Sequence, residues 1–449
     1  MHKHFNLKQI GIFVRVIASH LSDFCNHDTL TYDENKWHFK ICMDECEILT
    51  SFQQLVINTY VRVSKWPVFP IVSYVSSPSD ISSTLIPKLT LQQADRNLIV
   101  LDNMEQNEFK ELTEGIASAR CQEFMRSTDV SFNSETTLGK LNINALLSII
   151  IDVSENQAKK NELLEDAREF ANILDSSKCK EPPIYEAYLA KKLKLPIIKH
   201  SDSTNQRYQK SQQYRKKMVA AYLSICHELK VKKVRYASST MVLSLSDNCV
   251  RDFLIQLDNI YQKSGWELTK FLNNQVSLEL QSDAIIDASH NKRDSIPNSE
   301  LKYPVQVRKI INGLAIITAI IQSSDDYDRH LRSTERGLFQ LTSSETQSDK
   351  LMDTLEFIQD AIDAGFLRGK KGKDGSHTFR VHTSLAPAFG FSYRGAYYKV
   401  KLTLDDLYHL REANSENNLE KAARTIAKKI SERSEDLTLF SNEDNDNGI

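Results

Sequence analysis

Polar and apolar positions alternate in a short run near the start of the chain. Trp37, Phe39, Ile41 and Met43 share one side of an extended segment, which predicts a strand over 36–43. Before it, 7–25 reads as an amphipathic helix and 26–36 as an Asn/Asp-rich turn. Beyond Glu45 the period lengthens. Leu49, Phe52, Val56, Tyr60 and Val63 recur at helical spacing, so a helix is expected over 47–64. PVFPIVSYV, ending near Ser76, and NLIVLDNM, over 97–104, read as further strands. A helix carrying Phe109, Leu112, Ile116 and Ala119 closes at Arg120. That order of elements suits a largely parallel sheet with covering helices.

The pattern weakens over 126–205, which holds an apolar run at 141–151, a charged helix at 155–174 and a Pro182–Pro183 break. This stretch reads as helical linker. Over 213–229, Met218, Ala221, Ile225 and Leu229 again share a face. Ser246 or Asp247 is then suited to cap a helix whose apolar stripe is Val250, Phe253, Leu254, Leu257 and Tyr261. A further helix, 347–364, carries Leu351, Leu355, Ile358 and Ile362, and Gly365 stops it. Two short strands flank the turn KKGKDGSH. A helix followed by a basic-tipped hairpin is the ending of a winged helix. After Leu410 the chain reads as a charged helix and then an acidic tail.

Length and composition narrow this picture modestly. The 449 residues exceed one ordinary core, so several domains are expected. A net charge of −2 gives no global attraction to nucleic acid, so binding would need a local patch. The 7 cysteines are scattered, and Cys42 and Cys46 lack the further thiolates or histidines of a zinc site. The odd count and the lack of a signal-peptide pattern point to a reducing cytoplasm. No apolar run reaches the roughly 18 residues of a membrane span.

Candidate chemistry starts at Asp44 and Glu45, an acidic pair closing the first strand. At such a strand end Asp44 would hold a water on Mg²⁺, and Glu45 would orient the water that attacks a γ-phosphate. The usual phosphate loop, GxxxxGK[ST], is missing before them. Only 43 residues precede Asp44, and their sole glycine is Gly11. Arg251, in the first turn of its helix, is either a solvated arginine or one that reaches a nucleotide from a helical lid. Arg332 and Arg336 face the same choice, or fix a domain junction through carboxylates. The hairpin carries Arg368, Lys370, Lys371, Lys373 and Arg380, which suits contact with DNA phosphates. The helix before it carries Asp353, Glu356, Asp360 and Asp363, which argues against base reading in a major groove. A second basic run, RYQKSQQYRKKM at 207–218, suits a nucleic-acid backbone, an acidic protein or a charged surface.

Taken in order, these landmarks resemble the bacterial origin-recognition/Cdc6-like AAA+ ATPases, many of which sit in mobile-element or anti-phage defence settings. ICMDECEIL with FQQLVINTYVR is similar to a Walker B strand and its helix. DRNLIVLDNM with FKELTEGIASAR resembles the strand and short helix after sensor 1. YASSTMVLSLSDNCVRDFL resembles the lid, with Arg251 at the sensor-2 position. LRSTERGLFQL and FRVHTSLAPAFGFSYRGAYYKVKL resemble parts of a winged helix. The resemblance covers most of 37–405 and has a gap at 126–205. It implies roles for Asp44 and Glu45 with Mg²⁺ and water, and for Arg251 with nucleotide. Ser73 is the available candidate for sensor 1.

The expected fold class is α/β plus α, with an incomplete AAA+ parallel-sheet core, a helical lid and a C-terminal winged-helix domain. The expected divisions are a partial core at 1–125, a helical linker at 126–235, a lid at 236–330, a winged helix at 331–410 and a tail at 411–449. The leading functional reading is a non-hydrolytic or complementing subunit of an ORC/Cdc6-like complex. Its partner is another protein chain or a second copy, with double-stranded DNA at the wing. The isolated chain is expected to bind no cofactor, and ATP and Mg²⁺ only if its site is completed. The alternatives are an ATPase completed by a partner's phosphate loop or a nonstandard segment, and a DNA-binding adaptor.

Overall fold

The computed structural model describes residues 39–43, 46, 49–64, 68–73, 83–86, 90–92, 104–174, 181–199, 201–231, 235–298, 301–323, 334, 336–341, 349–371, 377–395 and 398–438. The helix expected over 7–25, the strand over 97–104 as far as Asn103, Arg332 and the acidic tail after Thr438 lie outside these residues. The chain divides into two compact units, Met1–Val100 and Leu101–Ile449.

In the first unit, β1 (Phe39–Met43) and β2 (Val68–Val72) pair in parallel. The helix α1 (Ser51–Val63) lies between them in sequence, as a parallel connection requires. The period-2 pattern of β1 is visible in its burial: Lys40 and Cys42 are exposed, Ile41 and Met43 half-buried. Thr50 opens α1 with a capping box. Its Oγ1 accepts from the Gln53 N–H (3.3 Å), and Gln53 Oε1 accepts from the Thr50 N–H (2.8 Å). The apolar stripe expected on α1 is only partly covered, since Phe52 and Val63 are exposed. A polar strip is used instead. Buried Asn58 donates from Nδ2 to the Ser83 carbonyl (2.8 Å), and Thr59 Oγ1 accepts from the Leu85 N–H (2.8 Å).

Among the described residues the second unit begins with ten helices. They are α2 (Gln106–Met125), α3 (Ser134–Leu138), α4 (Ile143–Val153), α5 (Gln157–Ile173), α6 (Ile184–Leu193), α7 (Thr204–Glu228), α8 (Ser239–Ser246), α9 (Val250–Ser264), α10 (Leu268–Asn273) and α11 (Leu278–Ser295). Helix α2 buries Phe109, Thr113 and Ala117 at successive four-residue steps. Phe109 and Phe132 both meet Phe253 of α9 edge-on, with centroids 6.5 and 6.3 Å away. Helix α4 is capped by Asn142, whose Oδ1 accepts from the Ala145 N–H (2.8 Å), and buries Leu146, Leu147, Ile150 and Ile151. The stretch that is hard to read in the sequence therefore holds core helices.

The remainder is α12 (Pro304–Ser323), β3 (Arg336–Leu341), α13 (Asp349–Asp363), β4 (Leu367–Lys371), β5 (His377–Val381), α14 (Ala386–Phe389), β6 (Tyr398–Leu402), α15 (Leu404–Arg411) and α16 (Glu416–Thr438). The strands form one sheet in the order β4-β5-β3-β6. β5 is antiparallel to β4 and β3, and β6 is parallel to β3. Gly365 ends α13 with φ 74°. Its N–H donates to the Ile362 carbonyl and the Phe366 N–H to the Ala361 carbonyl, both at 2.9 Å. The side chains of Leu351 and Asp353 lie outside the described residues.

Two segments, Ser134–Val153 and Pro304–Ser323, are long and apolar enough by composition to cross a membrane. Both feed the core of this unit. Val307, Ile310, Ile311, Leu314, Ile317 and Ile321 of α12 are fully buried. Helix α16 packs along α12 and buries Leu419, Ala423, Ile426, Ala427 and Ile430. Gly313 lets α15 approach α12, since a Cβ there would lie 2.8 Å from Leu410. The result is a helix-rich α/β architecture with a small parallel sheet and a separate mixed sheet of winged-helix-like form.

Candidate functional site

The chain leaves β1 and β2 at the same end of the parallel pair, because Met43 is aligned with Val72. Ligands of open parallel sheets sit at such C-terminal strand ends. Exposed Ser73 bridges this end. Its N–H donates to the Met43 carbonyl (3.0 Å), and its carbonyl accepts from the Cys46 N–H (3.2 Å). Asp44 and Glu45 lie outside the described residues. The N-terminus of α1 uses two of its backbone donors in its own capping box. The described residues of this unit therefore do not assemble a triphosphate site.

Arg251 is exposed in the first turn of α9, in the second unit. The residues around it are differently placed from the sequence expectation. Ser246 belongs to the last turn of α8, where its hydroxyl donates to the Val242 carbonyl (2.7 Å). Asp247 and Asn248 follow in left-handed conformation, with φ of 52° and 57°. Asp and Asn tolerate that region better than most residues. Cys249, not Ser246 or Asp247, is the residue that precedes α9. Asp247 suits a helix end as well as a helix start, and here a tertiary contact decides between them.

That contact comes from the hairpin. Arg368 of β4 and Arg380 of β5 are directly opposite in the antiparallel register, so both side chains leave the same face. Both converge on Asp247. Arg380 donates in bidentate fashion to its carboxylate, at 2.8 and 2.7 Å. Arg368 donates from Nη2 to the Asp247 carbonyl (2.7 Å), and its Nε is 3.7 Å from Oδ2. Thr383 hydroxyl donates to the Ser244 and Leu245 carbonyls (3.2 and 3.1 Å), covering the exposed end of α8. Asn248 Nδ2 donates to the Met104 carbonyl (2.9 Å). The side chains of Lys370 and Lys371, and all of Lys373, lie outside the described residues.

A second carboxylate lies beside the first. Asp252 is buried and accepts from Lys292 of α11 through both oxygens, at 2.9 and 2.7 Å. His382, just after β5, places Nε2 3.3 Å from Asp252 Oδ2 and 3.9 Å from Asp247 Oδ2. Burial drives the His382 imidazole well below its usual range, helped by Lys292, Arg368 and Arg380, so the ring is neutral. Burial also pushes the Cys249 thiol up, with Asp252 adding to the effect. Cys249, Asp252 and His382 bring one potential ligand atom each within 4.8 Å of one another, but the cluster as built does not fit a metal ion. Lys292 holds both Asp252 oxygens, and the Ser384 N–H donates to His382 Nδ1 (3.2 Å), so the ring's proton sits on Nε2 and faces the Asp252 carboxylate. The sequence pattern singles out Arg368 and Arg380, and Asp247 only as a candidate helix cap, with nothing that pairs them. Arg380 and Asp247 are 133 positions apart, and no local pattern joins them.

A family model described as ORC-CDC6-like matches residues 12–402, from before β1 to the end of β6. The protein belongs to the ORC-CDC6-like family. No curated protein and no solved structure matches the chain.

Proposed function

We propose that this chain is a non-hydrolytic or complementing subunit of an ORC/Cdc6-like assembly in the cytoplasm. In this reading the helix α13, the β4–β5 hairpin and strand β6 act as a winged helix that lies on double-stranded DNA. The observation that carries it is a basic-tipped hairpin, placed directly after a helix ended by Gly365, in a chain of this family. The commitment of Arg368 and Arg380 to Asp247 divides the hairpin's charges into two roles. The two arginines hold the hairpin to the end of α8. Lys370, Lys371 and Lys373 are the charges this reading assigns to phosphate. Glu356 is exposed on α13, which disfavours insertion of that helix into a groove and leaves backbone contact as the binding mode.

Asp44, Glu45 and Ser73 are the nucleotide-side candidates of the first unit, and Arg251 is the residue of the second unit through which a nucleotide would be sensed. Participation in anti-phage defence follows the family setting. The test is fluorescence anisotropy of the full chain with a labelled duplex across a salt series. Joint replacement of Lys370, Lys371 and Lys373 by Gln should weaken binding at every sequence. It should also flatten the log–log salt slope by about 0.9 for each phosphate the variant no longer neutralises. An unchanged slope would remove the DNA arm of this reading. Light scattering addresses the assembly arm, and a stable monomer with no co-purifying chain counts against it.

A further inference from the structure

Helix α7 carries the second basic run, to which the winged-helix reading gives no role. From Ser203 to Cys226 the chain has five Lys or Arg residues and no Asp or Glu, in a protein whose net charge is −2. Two of the five are engaged. Lys210 pairs with Asp202 (2.9 Å), and Arg207 Nε donates to the Lys199 carbonyl (3.4 Å). Arg215 and Lys216 are exposed, and among the described residues no carboxylate pairs with either. Cations on other helices do find partners: Lys191 meets Glu162 and Asp166, Lys263 meets Asp287, and Arg424 meets Glu420.

The acids near α7 are already committed. Asp202 is held by Lys210 at one end, and at the other Glu228 accepts from the Tyr188 hydroxyl and pairs with Lys159, both at 2.7 Å. Glu186 lies with Arg215 near Tyr185, and burial pushes its carboxyl above the usual range, so it turns less negative charge toward Arg215. The positive charge of the exposed face is therefore left uncompensated.

Other groups on that face suit the same ligand. Tyr208 is 64% exposed and stands two turns before Arg215, so the two share a face about 10 Å apart along the axis, or about three base-pair steps. Exposed Gln209, Gln213 and Lys216 form the adjacent row at four- and three-residue steps. A further cation arrives from outside the helix. Arg394, just before β6, donates from Nη1 to the Lys216 carbonyl (2.6 Å) and sets its guanidinium beside this row.

We propose that the exposed face of α7, built on Tyr208, Arg215 and Lys216 with Arg394 beside them, binds the phosphate backbone of a nucleic acid.

Each of these side chains, and the Gln amides between them, can donate to phosphate oxygen, and none repels it. An acidic protein would satisfy the two unpaired cations but would leave the Tyr and Gln donors without a matching row of acceptors. A nucleic-acid backbone supplies acceptors at every step. The surface lies on a different element from the hairpin tip and does not depend on Lys370, Lys371 or Lys373.

The test is fluorescence anisotropy of the full chain with a labelled duplex and with a labelled single strand of the same length, each across a salt series. The double variant R215Q/K216Q should keep its circular dichroism spectrum and flatten the log–log salt slope, by about 0.9 per lost phosphate on duplex or about 0.7 on single strand. R424Q removes an exposed cation on α16 and should leave the slope unchanged. Y208A separates the two forms of ligand. A loss of about tenfold on single strand alone marks a base stacked on the ring, and a small loss on duplex marks backbone contact. No binding by the wild type, an unchanged slope in R215Q/K216Q, or equal flattening in R424Q would each overturn the proposal. Displacement of the labelled strand by polyglutamate as readily as by unlabelled nucleic acid would also overturn it, and would mark an acidic-protein surface. Lys370, Lys371 and Lys373 stay intact in these variants, so failure here and failure of the wing are read in different proteins.

Discussion

Replacing Asp247 with Asn removes a charge and leaves the backbone turn tolerated. The consequence should fall unequally on the two arginines. Arg380 loses its bidentate carboxylate, while Arg368 keeps its 2.7 Å bond to the Asp247 carbonyl. The Asp247 and Arg380 side chains are 16% and 19% exposed. Breaking a fully buried ion pair costs about 3–5 kcal/mol, and an exposed pair is worth about 0–1 kcal/mol. A bidentate pair between those limits should couple by about 2 kcal/mol. The Asp247–Arg368 coupling should be about 0.5 kcal/mol, since the Nε interaction at 3.7 Å is all that the substitution removes. Two double-mutant cycles measure this, D247N with R380Q and D247N with R368Q. Each is followed by urea unfolding of the full chain, at a wavelength that reports the second unit. Equal couplings, or an Asp247–Arg380 value near zero, would refute the view that this carboxylate is the hairpin's anchor.

Three further outcomes follow from other parts of the molecule. Burial raises the Glu186 carboxyl above its usual range, against opposing hydrogen bonds from Asn144 and Tyr185. The folded state therefore binds that proton more readily than the unfolded one. Its stabilising contribution is full below the unfolded value of about 4.3 and is lost as pH rises through the raised folded value. E186Q should raise the urea midpoint at neutral pH and lose that advantage near pH ~4. A variant less stable at both would contradict it. Ile426 is buried at the α12–α16 contact, so I426A should cost about 3 kcal/mol in the same assay, and a loss under about 1 kcal/mol would argue against this packing. Gly365 has open space around its Cβ position but φ 74°, so G365A should cost about 1 kcal/mol through backbone strain alone. A neutral result in thermal melts would show that the turn relaxes.

The parts of the fold that announce themselves in the sequence are those with one buried face. β1 shows its alternation, α9 its stripe, and Gly365 the stop that ends α13. Helix α4 reads as little more than an apolar run, because it is short and only Asn144, Ser148 and Asp152 mark the side away from buried Leu146, Leu147, Ile150 and Ile151. Helix α16 has the opposite problem. Lys and Arg crowd ENNLEKAARTIAKKI, yet Leu419, Ala423, Ile426 and Ile430 mark a continuous stripe at three- and four-residue steps. On α1 the apolar positions mislead, since Asn58 and Thr59 make the contacts to 83–85. The junction at Asp247 is the least legible. Its members come from α8, α9, α11 and the hairpin. Each alone is an ordinary charged or polar residue, and only the folded chain brings opposite charges to one point.

The covering of α12 by α16 has a consequence for synthesis. Helix α12 is among the most apolar segments described, and the strip that shields it includes Leu419, Ala423 and Ile430, which follow the sheet strands in sequence. While the ribosome is still translating the sheet strands, that surface has no native cover, and a sticky nascent intermediate is the expected result. Emergence of α16 from the exit tunnel is then the event that gives α12 its cover. A stop codon placed just after the sheet would leave a polypeptide that seeks chaperones or aggregates.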